Sequence, residues 1–161
     1  MDPSIWGAGA WHLLHRVSTR KHDRVTSKEF YMSLKDILPC RSCRANIQKH
    51  VAKLPFPVGK NKGKVAEWVY GIHNLVNDDL GVQGDRPTFA DIKKKFAAAD
   101  DEKEEWIFIR GIAKVHPGIR KITPEYEAAL TAFLEGWLGH DVPFNVRSRS
   151  AFQTWIKKTL G

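Results

Sequence analysis

Apolar positions along the chain recur every three or four residues, the spacing of one face of an α-helix, and no strand-length run alternates between hairpin turns. The predicted fold class is all-α. A first helix carries Ile5, Trp6, Trp11, Leu14 and His15. A second opens at Thr26-x-x-Glu29, which reads as a capping box, and continues through Phe30, Leu34, Ile37 and Leu38. Pro39 marks the next start. The third helix begins around Cys40 and carries Cys43, Ile47, His50 and Val51 on one stripe, until Pro55 and Pro57 break it. After a loop rich in Lys and Gly, a fourth runs through Val65, Trp68, Val69, Ile72, Leu75, Val76 and Leu80, with Gly81 as its stop. These make a four-helix bundle. A short fifth helix is expected from Thr88, carrying Phe89, Ile92 and Phe96, and Ala97-Ala98-Ala99-Asp100-Asp101 reads as a junction.

The chain therefore divides into residues 1–97 and a helical C-terminal region, 98–161. The latter holds three more amphipathic segments: Trp106, Ile109, Ile112 and Ala113; Leu130, Phe133, Leu134, Trp137 and Leu138; and Phe152, Trp155, Ile156 and Leu160. Their order resembles the first half. Trp106 answers Trp11, Thr123-Pro124-Glu125 answers the helix start at Thr26, Val142-Pro143-Phe144 answers Leu38-Pro39-Cys40, and Thr154-Trp155-Ile156 answers Glu67-Trp68-Val69. This describes a degenerate second bundle in which Phe144 and Arg147 stand where the first has cysteines. Shared apolar spacing between any two helical stretches is the competing explanation.

Composition narrows the picture. With 42% hydrophobic and 27% charged residues over 161 positions, there is apolar material for a real core, and no run approaches the roughly 20 apolar residues of a membrane helix. The start, Met1-Asp2-Pro3-Ser4, lacks the features of a secretory signal, so a cytoplasmic setting is expected. A net charge of +8 invites a nucleic-acid reading, but the basic residues are dispersed, and solvated surface explains them better. A basic surface that attracts acidic proteins or an anionic cofactor stays open.

The 2 cysteines both lie in one C-x-x-C, so no spare thiols staple the fold. Leu38-Pro39-Cys40-Arg41-Ser42-Cys43-Arg44 puts both thiols at a helix start, where unpaired backbone N–H groups, Arg41 and Arg44 favour a thiolate and suit thiol–disulfide exchange. Half a zinc site and an inert buried pair compete, although zinc needs four ligands and His50 is the only nearby candidate before His73. His73 and Asn77 lie one turn apart on one helix, as Trp11 and His15 do on another. Two helices thus present flat and hydrogen-bonding groups to one planar ligand. Plain core packing is the alternative for Trp11 and Trp68, and a satisfied buried imidazole for each histidine.

Gly7-x-x-x-Trp11-x-x-x-His15, the Leu38-Pro39-Cys40-x-x-Cys43 segment, and Trp68 followed by Ile72-His73-Asn74-Leu75-Val76-Asn77 resemble the Erv/ALR family of FAD-linked sulfhydryl oxidases. The resemblance covers residues 5–97 and takes in Leu80-Gly81 and Arg86-Pro87-Thr88-Phe89. It implies a flavoprotein oxidoreductase with a redox-active Cys40–Cys43 disulfide and Cys43 against the isoalloxazine. Gly7, Trp11, His15, Trp68, His73, Asn74, Asn77, Leu80 and Phe89 would contact the FAD, and Arg86 would approach its pyrophosphate. It also implies dithiol client proteins, oxygen as acceptor with hydrogen peroxide as product, and no metal. Family members commonly form homodimers through their first two helices. Residues 98–161 would then form an intramolecular pseudo-dimer on the outer face of the Trp11 and Phe30 helices, with Trp106, Phe133, Trp137 and Trp155 largely buried and one FAD per chain.

Departures are equally specific. No shuttle cysteine pair is present, Asn46 stands where the family often has His, and residues 82–85 read as an insertion before Arg86-Pro87. Disulfide formation in reducing cytosol is unusual; because the family this chain resembles also has viral members, one resolution is a viral or phage protein that oxidises its own clients in host cytoplasm or in the virion. A flavin-free dithiol carrier and a basic helical binding module with structural cysteines are the rival functions. A carrier of this kind is ordinarily set in a βαβ pattern, of which the sequence shows no sign.

Overall fold

The computed structural model describes residues 1–19, 27–59, 61–98 and 102–161. It is all-α, with no strand among the described residues. Helices α1 (Pro3–Thr19), α2 (Lys28–Met32), α3 (Leu34–Ile37), α4 (Arg41–Lys53) and α5 (Lys62–Asp79) form the expected bundle, and α6 (Phe89–Ala97) is the short fifth element. The second predicted helix is divided at Ser33, whose hydroxyl donates to the Phe30 carbonyl at 2.5 Å. Its start is capped by Ser27, which accepts the Phe30 N–H at 3.2 Å; the expected cap residue Thr26 lies outside the described residues, as do positions 99–101 of the junction.

Local chemistry sets the other boundaries. Gly81 adopts φ 65° after α5, its N–H donating to the Asp78 carbonyl while that of Val82 donates to Asn77, a pairing that satisfies carbonyls the helix end leaves over. Thr88 and Asp91 form a full capping box on α6.

The C-terminal region folds as α7 (Lys103–Val115), α8 (Pro124–Leu138) and α9 (Arg149–Leu160), with Thr123 and Ser148 capping the last two. A single apolar cluster runs through both regions, joining Leu13, Val17, Phe30 and Ile37 to Phe108, Ile112, Leu130 and Phe133. Trp6 stacks on Phe108 and faces Gly111, while Arg16 meets Glu102 and Glu105, so α1 and α7 run antiparallel. Their approach needs Gly9, because a Cβ there would overlap the Glu104 carbonyl oxygen. Beside them α8 lies on α2 and α3: Phe30 stacks on Phe133 at 5.0 Å, and its ring fills the space a Gly136 side chain would take. Phe133 is fully buried, and Trp106, Trp137 and Trp155 are less deeply buried, each packed against the core. They pack edge to face at the rim, as large rings with one polar atom readily do.

Candidate active site

Cys40 is the N-cap of α4, which sets both sulfurs at the helix start, where first-turn N–H groups lack intrahelical partners. Cys40 and Cys43 are joined in a disulfide with Cα atoms 5.1 Å apart, and Cys40 Sγ accepts the Cys43 N–H at 3.2 Å. Cys40 is 9% exposed and Cys43 half-buried, whereas Arg41 and Ser42 between them are exposed. Arg44 turns back to donate to the Leu38 carbonyl at 2.6 Å, which ties the Leu38-Pro39-Cys40 segment to the helix it precedes.

Helices α1 and α5 bring the predicted rings together. Trp11 stacks on His73 with centroids 4.0 Å apart and planes 8° from parallel. His15 Nε2 and His73 Nδ1 share a hydrogen bond at 2.9 Å, and Phe96 of α6 closes the cluster over His15. Asn74 and Asn77 lie half-buried on the same helix as His73, beside the half-buried apolar Leu75 and Val76. Gly7, one turn before Trp11, has open space where a Cβ would point, unlike Gly9 on the packed face. Half-buried Trp11, His73 and Asn77, with the open side of Gly7, give the junction of α1 and α5 the ring and amide groups that suit a flat ligand with a polar edge.

The remaining predicted positions are distributed around this centre. Arg86 donates to the carbonyls of Asn74 and Val82 and pairs with Asp78 at 2.7 Å, which holds the segment after α5 against its last turns. Phe89 sits by Tyr70, whose hydroxyl donates to the Pro87 carbonyl, and Leu80 is 72% exposed. Trp68 points elsewhere: it is buried, donates to the Leu54 carbonyl at 2.8 Å and meets Tyr31 and Phe56 edge-on. The described residues hold no group of three or more metal-ligating side chains.

A profile described as the Erv1 / Alr family matches residues 8–97, more than half of the chain. The chain belongs to the Erv1 / Alr family. Among curated proteins it is 31% identical over 85 residues to the "Probable FAD-linked sulfhydryl oxidase" of Acanthamoeba polyphaga mimivirus, covering 48% of this chain and 59% of that one. It is 25% identical over 81 residues to an FAD-linked sulfhydryl oxidase of Oryza sativa subsp. japonica, covering 47% and 41% respectively. The chain thus spans about half the length of these relatives. No solved structure matches it. No described helix is long and apolar enough to cross a membrane.

In this Erv1 / Alr chain both site histidines are held neutral. Burial, followed by the neighbouring His73, lowers the His15 pKa to about 3, and burial with the Arg86 charge lowers that of His73 to about 4. Each folded pKa lies below the unfolded value near 6.5, so the unfolded chain binds protons first as pH falls. The contribution of these two histidines to stability is therefore complete above about pH 6.5 and is lost as pH falls from there through about 4 and 3. The slope for the buried His15 is about 1 kcal/mol per pH unit, with less for the half-exposed His73. Denaturant melts from pH 8 to pH 4.5 check this: the wild type should weaken more steeply than His73→Gln, and equal slopes would refute the assignment.

The other face of α1 holds a second set of polar contacts, outside the predicted site residues. His12 and Arg16 both reach Glu105 of α7, which is fully buried and also accepts the Trp137 Nε1 proton at 2.8 Å. The signal was present: Glu105 falls on the same helical stripe as Phe108, Ile109 and Ile112, where an acid has no place without partners.

Proposed function

We propose that this protein is an FAD-dependent sulfhydryl oxidase that oxidises protein dithiols through Cys40 and Cys43. The observation that carries the reading is the disulfide at the start of α4, in a chain whose α1 and α5 gather Trp11, His15 and His73 into one aromatic face. Gly7, Trp11, His15, His73, Asn74 and Asn77 would hold the cofactor, with Leu80, Phe89 and Arg86 at its far end and Trp68 behind. The neutral imidazoles suit contact with uncharged rings, and Arg86 keeps a positive charge nearby.

In the exchange, a client thiolate attacks Cys40 Sγ, the Cys40–Cys43 bond breaks, and Cys43 leaves as a thiolate. A second client thiol then attacks the client sulfur of this mixed disulfide, releasing Cys40 and completing the client disulfide. Two client thiols have lost two electrons, and the enzyme pair has gained them. The Cys43 N–H stabilises the Cys40 thiolate at the N-cap, which makes Cys40 a good leaving group in the second step. With Cys40 only 9% exposed, a client approaches over Arg41 and Ser42 at the helix start. Bound FAD supplies the two-electron chemistry that returns the pair to the disulfide and reduces oxygen to hydrogen peroxide.

Residues 1–97 carry this chemistry, and 98–161 act as a degenerate second bundle without thiols or flavin. Its helix α7 lies antiparallel on α1 and α8 lies on α2, covering the face through which a second subunit would pack. A setting in which a virus oxidises its own proteins in host cytoplasm suits the mimivirus relative.

Purification decides between this reading and its rivals. The oxidase is yellow with flavin near one per chain, consumes oxygen with dithiothreitol and yields peroxide in equal amount. A colourless chain that stays inactive when FAD is added is a carrier or a binding module instead.

A further inference from the structure

Helix α1 has two working faces. Trp11 and His15 point to the aromatic face shared with α5, while His12 and Arg16, each the next residue along, point to the C-terminal region. What they meet is a single carboxylate. Glu105 Oε1 takes His12 Nδ1 at 3.1 Å and the Arg16 Nε proton, and Oε2 takes Arg16 Nη2 at 2.5 Å and Trp137 Nε1 at 2.8 Å. Its relative exposure is 0% and that of Arg16 is 4%.

A buried carboxylate is costly, and it is tolerated here because four donors saturate its two oxygens. If stability were the only requirement, an apolar pair of similar volume would serve as well or better. The ionic arrangement differs from an apolar pair in direction: a bidentate guanidinium and an imidazole fix the rotation of α1 about its axis. That rotation sets where Trp11 and His15 point. A second path runs through the rings: His12 meets Phe96 edge-on at 5.1 Å, and Phe96 stacks on His15, which bonds to His73.

We propose that Glu105, supplied by the C-terminal region, is a positioning residue for the flavin site, acting through Arg16 and His12 on α1. This rests on the oxidase reading above. Residues 98–161 then do more than cover a surface, since the site depends on one of their side chains.

The test compares full-length wild type, Glu105→Gln and Trp137→Phe, each loaded with FAD. Glu105→Gln keeps the shape and an acceptor but removes the charge; Trp137→Phe removes a donor to the same carboxylate on the α8 side without touching α1. Measured are thermal midpoint, flavin dissociation constant and the visible circular dichroism of the bound flavin. Flavin binding is expected to weaken about tenfold in Glu105→Gln, within the usual range of coupling between packed sites, with an altered visible dichroism band. Trp137→Phe should lower the thermal midpoint but leave flavin affinity and dichroism as in wild type. Should Glu105→Gln not fold, His12→Gln takes its place, with the same expected loss. The proposal is overturned if Glu105→Gln or its substitute retains wild-type flavin affinity and dichroism, or if Trp137→Phe weakens flavin equally, which would make the effect one of general stability. A wild type that binds no flavin refutes the oxidase reading itself, before either variant is compared.

Discussion

A Cys40→Ala chain is expected to bind flavin and remain folded, yet to oxidise dithiothreitol or a protein dithiol at least about a thousandfold more slowly than wild type. The chemistry needs a sulfur that a client can attack and a second sulfur that leaves. The fold needs neither. The disulfide spans residues only 3 apart in sequence, and closing so short a loop constrains the unfolded chain by about 2 kcal/mol, against a total stability of roughly 5–15 kcal/mol. Cys43→Ser should fail differently. It leaves Cys40 able to attack a disulfide-bonded client and hold it, so a covalent adduct should appear on a non-reducing gel and vanish with reductant. Wild-type turnover by Cys40→Ala would end the proposed exchange, and a fully unfolded variant would show that the pair is structural.

A chain cut after Ala97 is expected to dimerise or aggregate, read as a rise in mass by light scattering. The cut removes Phe108, Ile109, Ile112, Leu130 and Phe133, all of which are fully buried in the intact chain. Trp6 loses its stacking partner, Phe30 loses both Phe133 and the space beside Gly136, and Arg16 loses the carboxylate of Glu105. An apolar face of that extent on a small domain seeks another surface, and two truncated chains can offer each other the same one. The fit in the intact chain is close enough that Gly9→Ala should itself cost about 1–3 kcal/mol, because its neighbour is the Glu104 backbone and not a movable side chain. A monomeric truncated chain with unchanged stability and flavin content would show residues 98–161 to be an independent appendage.

Much of this was readable from the residues alone, wherever the information is local. The caps at Thr88 and Thr123 and the stop at Gly81 depend on a few neighbouring dihedrals and hydrogen bonds, and the structure has them where the sequence puts them. Apolar periodicity likewise gives the α1, α4 and α5 stripes, since a buried face repeats with the helix itself. The cysteine pair announces its chemistry by spacing and by the proline and arginines around it. The break at Ser33 was not readable, because a serine hydroxyl that bonds back to a carbonyl competes with the helix only slightly.

What the tertiary structure decided are matters of contact between distant segments. Periodicity marked Trp68 and Trp11 alike as apolar-stripe residues, but only packing sends Trp68 to Tyr31 and Phe56 and leaves Trp11 half-open beside His73. In the same way, Glu105 reads in sequence as an acid set on the apolar stripe of α7, with nothing to say which residues it meets. It becomes the meeting point of His12, Arg16 and Trp137 because α7 lies antiparallel on α1 with Gly9 allowing the approach. The sequence by itself determined an all-α chain with one redox-capable cysteine pair at a helix start, since helix periodicity and the requirements of a thiolate are short-range. Which face of each helix meets which partner was decided only in three dimensions, because burial energy depends on the combined shape of segments far apart in the chain.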